Sequence, residues 1–188
     1  GNVWAGDGPE YRFEVAQRTL VDFLGKQGFV GPFGADLLAP PGDEPLVVLE
    51  INSRATSGLS MEALLARGSG QKPVLASIVD ACQGINQQSF MVVPQMEAVQ
   101  AVLYSEEPES FQMGVSIRSG TYEMGDKGAK WVREDVDPTH CKESECVVLA
   151  RSRSQWIGAQ GETLRLQTLG SEDTLRPWIK WAREQLSP

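Results

Sequence analysis

Four residues early in the chain have types and spacing suited to holding a metal ion and phosphate: Asp36, then Glu50, Asn52 and Arg54. Side chains alternate between the faces of an extended strand, so Glu50 and Asn52 share one face. If Asp36 sits in register on a neighbouring strand, two carboxylates and an amide oxygen meet on one patch. Hard cations such as Mg2+ take oxygen donors of this kind, usually together with substrate phosphates. Arg54 then stands where its planar fork of donors reaches those phosphates. An ordinary structural role stands beside this one. Asp36 would be a surface carboxylate near a turn, Glu50 would pair with Arg54, and Asn52 would close a local side-chain turn.

Other residue groups invite chemistry less directly. Ser57-Gly58-Leu59-Ser60 precedes an apolar helical pattern. The free N–H groups at that helix start could hold a phosphate or a carboxylate, with Ser57 and Ser60 beside it, or Ser60 could simply cap the helix. His140-Cys141-x4-Cys146 has two thiols and an imidazole, but tetrahedral zinc takes four ligands in closely spaced pairs. With Cys82 distant, a loop bearing free thiols or one Cys141–Cys146 bridge is the plainer expectation. Gly120-x4-Gly125-x2-Gly128 lacks the Lys-Ser/Thr of a phosphate loop and reads as a hairpin tip. Trp131, Trp156, Trp178 and Trp181 are expected to be core residues rather than a ligand cleft. Arg151 and Arg153 read as solvated rim charges.

The elements that must position these residues follow from periodicity. Residues 9–25 carry apolar positions at helical spacing, with Gly25 and Gly28 as stops. Residues 29–39 read as extended, Pro40-Pro41-Gly42-Asp43 as a turn, and 46–51 as a buried strand, giving an antiparallel hairpin. Ser60 to Arg67 and Val74 to Cys82 read as short helices. Strands are expected at 90–93, 98–104, 111–118, 146–151 and 164–169. An amphipathic helix over 174–186 closes the chain, with Pro177 tolerated only in its first turn. Residues 68–72 are a plausible boundary, dividing the chain into 1–68 and a β-rich 69–188, or the two form one continuous domain.

The order helix, glycine-rich strand with Asp36, hairpin, then Glu50-Ile51-Asn52-Ser53-Arg54 resembles the C-terminal core of the ATP-grasp superfamily. The resemblance covers about residues 1–67 and implies the following. Asp36, Glu50 and Asn52 match the residues that hold Mg2+ against ATP. Arg54 matches the arginine at the transferred phosphoryl group, and the activity is that of a carboxylate-amine ligase acting through an acyl phosphate. Ser53 stands where the family often has Pro or Thr. The family's nucleotide lid, with its lysines, is not recognisable in residues 70–188, and Val92-Val93-Pro94 lacks the lysine expected beside it. The chain begins at Gly1 without Met and is expected to be a piece of a longer protein.

Composition bounds the rest. With 41% hydrophobic and 22% charged residues, 188 residues suffice for a packed core, which excludes wholesale disorder. Seventeen basic against twenty-five acidic residues give 17 − 25 = −8, a poor balance for tracking a nucleic-acid backbone. No apolar run approaches the ~20 residues of a membrane helix, and no signal peptide is legible. Three cysteines suit a reducing, cytoplasmic setting. The expectation is therefore an α+β fold: an antiparallel sheet with flanking helices, an ATP-grasp-like core followed by a β-rich region. The rival expectation is a non-catalytic α+β binding or interaction module that uses no nucleotide.

Overall fold

The computed structural model describes residues 2–4, 11–42, 44–56, 58–85, 96–112, 117–151 and 155–186. Its elements in chain order are β1 (Asn2–Trp4), α1 (Tyr11–Lys26), β2 (Gly34–Leu38), β3 (Val47–Asn52), α2 (Leu59–Gly68) and α3 (Val74–Cys82). There follow β4 (Ala98–Tyr104), β5 (Phe111–Gln112), β6 (Gly120–Gly125), β7 (Gly128–Arg133), a 3-10 turn (Pro138–His140), β8 (Glu145–Ala150), β9 (Trp156–Ile157), β10 (Glu162–Leu169) and α4 (Glu172–Leu186). The fold is α+β with antiparallel sheets. It divides into two compact units, residues 6–95 and residues 1–5 with 96–188. The division places α3 in the same unit as the first hairpin.

In the unit of residues 6–95, glycines end the helices. At the end of α1, Phe29 N–H reaches Leu24 O (3.0 Å) and Gly28 N–H reaches Gly25 O (3.0 Å). That bonding needs the left-handed backbone Gly28 supplies at φ 75°. Gly70 and Gly84 stop α2 and α3 in the same way. Pro73 at the start of α3 has no side chain with which to cap it. Glu62 of α2 substitutes, accepting the Val74 N–H at 3.4 Å. Burial pushes its carboxyl above the usual range, against the lowering effect of that bond. At the other end of the unit Arg12 Nη1 of α1 donates to Pro40 O (3.0 Å) and Glu44 O (3.1 Å), tying the helix to the turn between β2 and β3.

The second unit is a six-stranded, wholly antiparallel sheet in the order β1-β4-β10-β8-β6-β7. β1 pairs with β4 through Asn2↔Gln100, Val3↔Val99 and Trp4↔Ala98. α4 packs on one face. Leu175, Trp178 and Ala182 meet Val99, Cys146, Val148, Leu164 and Leu166 of the strands. Trp181 extends that contact, its ring 5.3 Å from Tyr122 and 6.2 Å from Trp178. Alternation places Gln100 and Gln167 on the opposite face, where they are buried opposite one another and bonded at 2.7 Å. β5 and β9 form a small separate ladder.

Several expectations change here. The strand expected at 111–118 is confined among the described residues to Phe111–Gln112, and 90–93 lies outside them. The glycine-rich stretch is not merely a tip. Gly120 and Gly128 begin strands β6 and β7, and only Asp126 and Lys127 make the turn. Gly120 is required by proximity: a Cβ there would collide with Arg133 O and lie 2.7 Å from Trp131 Nε1. α4 starts two residues earlier than expected, so Pro177 lies in its interior. There it withholds the N–H that Asp173 O would accept. Trp178 is a core residue as expected and Trp131 and Trp181 pack against the core, whereas Trp156 is 69% exposed.

Candidate metal and phosphate site on the first hairpin

β2 and β3 form the expected antiparallel hairpin, with the pairs Gly34↔Asn52, Ala35↔Ile51, Asp36↔Glu50, Leu37↔Val48 and Leu38↔Val47. Asp36 and Glu50 are direct partners, so their side chains leave the same face, with Cβ atoms roughly 5 Å apart as is usual for such pairs. Asn52 is two residues beyond Glu50 and shares that face, about 7 Å further along the strand. Leu49 is the extra residue of a bulge between the Asp36 and Leu37 rungs. It preserves the acidic rung while the strand bends. Asp36 and Glu50 are exposed and Asn52 is half-buried.

Beyond Asn52 the chain turns at once. Arg54 N–H donates to Asn52 O at 2.8 Å. The Arg54 guanidinium donates to Ala55 O at 3.3 Å and to Asn52 Oδ1 at 3.4 Å. Thr56 packs its methyl against Gly34, the partner of Asn52, where a Cβ would collide with it. Thr56 O then accepts the Leu59 N–H at 3.1 Å, which starts α2.

Two expectations about this region are corrected. β3 is not a buried strand: Val47, Val48 and Leu49 are 48%, 41% and 64% exposed. An unbroken apolar run marks burial only where a second layer covers the strand. Among the described residues this sheet has two strands. Ser60 does not cap α2; it is the second residue of the helix, Gly58 holds the cap position, and no side chain makes the capping bond. The turn at Thr56 begins the helix before Ser60 is reached. Ser57 lies outside the described residues.

A second cluster of charged groups was not legible as such. Glu145, 2% exposed, receives both Arg133 guanidinium nitrogens, at 2.8 and 2.9 Å, and the Lys142 N–H at 3.0 Å. Arg133 also donates to His140 O at 3.1 Å. His140 Nδ1 lies 2.8 Å from Asp135 Oδ2, and Asp137 accepts the Thr139 N–H that opens the 3-10 turn. The Asp137-Pro138 pair is a turn-start signal that could have located this loop. Its groups satisfy one another, which marks it as a staple joining β7, the turn and β8.

The same loop decides the thiol question. Cys146 faces the core under α4 and Cys141 is half-buried; neither is bonded to the other, and Cys82 is exposed. Burial chiefly, with the Glu145 charge second, pushes the Cys141 thiol up to about 12. Burial raises Cys146 as well. Both are poor nucleophiles at neutral pH. Among the described residues no three His, Cys, Asp or Glu side chains converge to hold a metal. The hairpin patch offers two carboxylates, with an amide as its third oxygen donor. Arg151 is exposed and donates to Glu162 O, while Arg153 lies outside the described residues.

Among the described residues no helix is long and apolar enough to cross a membrane. No protein-family model, no curated protein sequence and no solved structure matches this chain.

Proposed function

We propose that the chain carries the metal- and phosphate-holding hairpin of an ATP-dependent ligase of ATP-grasp type, acting on a small-molecule carboxylate and an amine. The observation that carries this reading is the rung Asp36↔Glu50 with Asn52 on the same face. Like charges placed directly opposite across a sheet repel. Neither carboxylate has an ion-pair partner among the described residues. A pair of carboxylates left facing one another in the open, with an amide oxygen beside them, is the donor chemistry a hard divalent cation requires.

In this reading Asp36, Glu50 and Asn52 hold Mg2+, which would neutralise charge on the phosphates of ATP. Arg54 meets the phosphoryl group in transit with its donor fork. A substrate carboxylate oxygen attacks the γ-phosphorus and ADP departs. The amine then attacks the acyl carbon and phosphate departs. The start of α2, with Ser60, would lie on the phosphate side. The free thiols suit a cytoplasmic setting.

The test is calorimetric titration of Mg2+ and ATP into the chain, with Glu50→Gln and Asn52→Ala alongside. Binding that requires Mg2+ and is weakened, without being abolished, in both variants is expected. Undiminished binding in both variants would sink the reading.

A second reading has its own support: the exposed Leu38, Val47 and Leu49 put apolar surface on the hairpin. A non-catalytic interaction module would use such a surface and bind no nucleotide. Absence of any Mg2+ or ATP binding favours it.

A further inference from the structure

Arg54 folds back onto the strand from which it emerges. Its guanidinium donates to Asn52 Oδ1 at 3.4 Å and to Ala55 O at 3.3 Å, while its own N–H is fixed on Asn52 O at 2.8 Å. The contact of Thr56 with Gly34 closes the loop that holds this arrangement. The amide oxygen engaged by Arg54 is one of the three oxygens that the ligase reading assigns to a metal.

We propose that Arg54 is a placeholder cation, which occupies Asn52 Oδ1 until a divalent cation takes that oxygen and the guanidinium is released toward the phosphate side. The inference rests on the ligase reading above and adds to it a competition between two residues of the same loop. An amide oxygen has lone pairs for two donors. A guanidinium and a divalent cation on one oxygen would nevertheless stand roughly 5 Å apart, where like charges repel appreciably even near the surface. A 3.4 Å bond from an exposed guanidinium to a half-buried amide is weak and exchangeable. Asn52 holds the arginine through its side chain and its backbone, so losing the side-chain bond alone leaves Arg54 anchored at the site.

The experiment is a double-mutant cycle read with Mn2+ alone, followed by loss of the free-ion paramagnetic resonance signal. It compares the unaltered chain, Arg54→Ala, Asn52→Ala and the double variant. All the substituted positions are at the surface or half-buried, and circular dichroism checks that each variant folds. Arg54→Ala is expected to tighten Mn2+ binding about two- to fivefold when Asn52 is present, the scale of one exposed charged contact. It should change nothing when Asn52 is already Ala. Equal tightening in both backgrounds would make Arg54 a remote charge and overturn the proposal. So would no tightening in either background. Absence of Mn2+ binding in every variant would overturn the ligase reading together with this inference, whereas the two preceding outcomes leave that reading standing.

Discussion

Arg133 and Glu145 meet in a two-point, parallel ion pair, Nη1 to Oε1 at 2.8 Å and Nη2 to Oε2 at 2.9 Å, with the carboxylate almost wholly buried. The Lys142 N–H occupies a further lone pair of the same carboxylate, and the Glu145 carbonyl accepts the Thr168 hydroxyl at 2.9 Å. One residue, through its side chain and its carbonyl, thus links the edge strand β7 to β10 at the centre of the sheet. Breaking a buried pair from one side is costlier than the pair is worth, because the remaining charge is left uncompensated. Here Arg133 keeps partial access to water, which softens the loss. Glu145→Gln is expected to lower the stability of the sheet unit by about 1–3 kcal/mol. All five tryptophans lie in that unit, so their fluorescence in a urea titration reports it alone.

The same pair gives a pH dependence. Hydrogen bonds from Arg133, above all, hold the Glu145 carboxyl down at about 2. Asp135 is lowered too, first by the Asp137 N–H and then by His140. A carboxyl depressed in the folded state contributes stability that is present above its unfolded value of about 4.3 and lost as pH falls toward the folded one. The urea midpoint of tryptophan fluorescence should therefore be flat from pH 7 to about 5 and fall steeply between about pH 4 and 2. Glu145→Gln should flatten most of that fall. An unchanged acid limb in the variant would show that other carboxylates govern it.

Gly120 is the tightest point of the sheet. Its φ of 142° and the approach of Arg133 O and Trp131 Nε1 leave no room for a side chain. Gly120→Ala combines backbone strain with a collision against backbone, and is expected to cost about 2–4 kcal/mol by the same fluorescence measurement. A cost below about 1 kcal/mol would mean that β6 and β7 move apart readily at this end.

Pro177 is the opposite case, a residue whose replacement should help. It sits in the interior of α4, between the buried Leu175 and Trp178. Pro177→Ala restores an N–H to the helix ladder and is expected to raise the thermal midpoint of the sheet unit, by about 1–3 kcal/mol of stability. A decrease would mean that the proline ring itself fills space the core needs.

Trp178 anchors α4 to the strands and is 2% exposed. Trp178→Ala is expected to cost about 3–5 kcal/mol. Trp156→Ala, on an exposed ring of the same type, should stay within about 0.5 kcal/mol. The contrast between the two, measured in one buffer, checks which tryptophan carries the packing.

How far these features could be foreseen varied with the physics behind them. The bounds of α3 and β4 were legible to the residue: Pro73 and Gly84 flank the apolar pattern of α3, and the apolar run of β4 ends at the polar Ser105-Glu106-Glu107. The hairpin of β2 and β3 was legible from Pro40-Pro41-Gly42-Asp43. Its register was not: Asp36 faces Glu50 only because Leu49 bulges, and a bulge leaves no pattern in a short apolar run. The apolar run of β3 reads as buried in sequence because composition carries no sign of whether a second layer covers it. β6 is hidden in the sequence because its glycines read as turn formers, although Thr121 to Met124 between them alternate as a strand should. In the candidate site, the shared face of Glu50 and Asn52 follows from strand alternation alone, whereas the bond from Arg54 to Asn52 depends on a backbone reversal that no spacing rule supplies.

The pairing of β1 with β4 has a consequence for how the protein reaches its native state. Asn2 pairs with Gln100 although residues 6–95 separate them in the chain, so in sequence that unit is an insertion between two neighbouring strands of the sheet. Bringing the ends of so long a loop together is opposed by chain entropy, which falls by about 0.6 kcal/mol for each halving of the free length. Once residues 6–95 fold, most of that length is no longer free. Pairing of the three-residue β1 with β4 is thus the step in building the sheet whose closure cost depends most on whether residues 6–95 have folded.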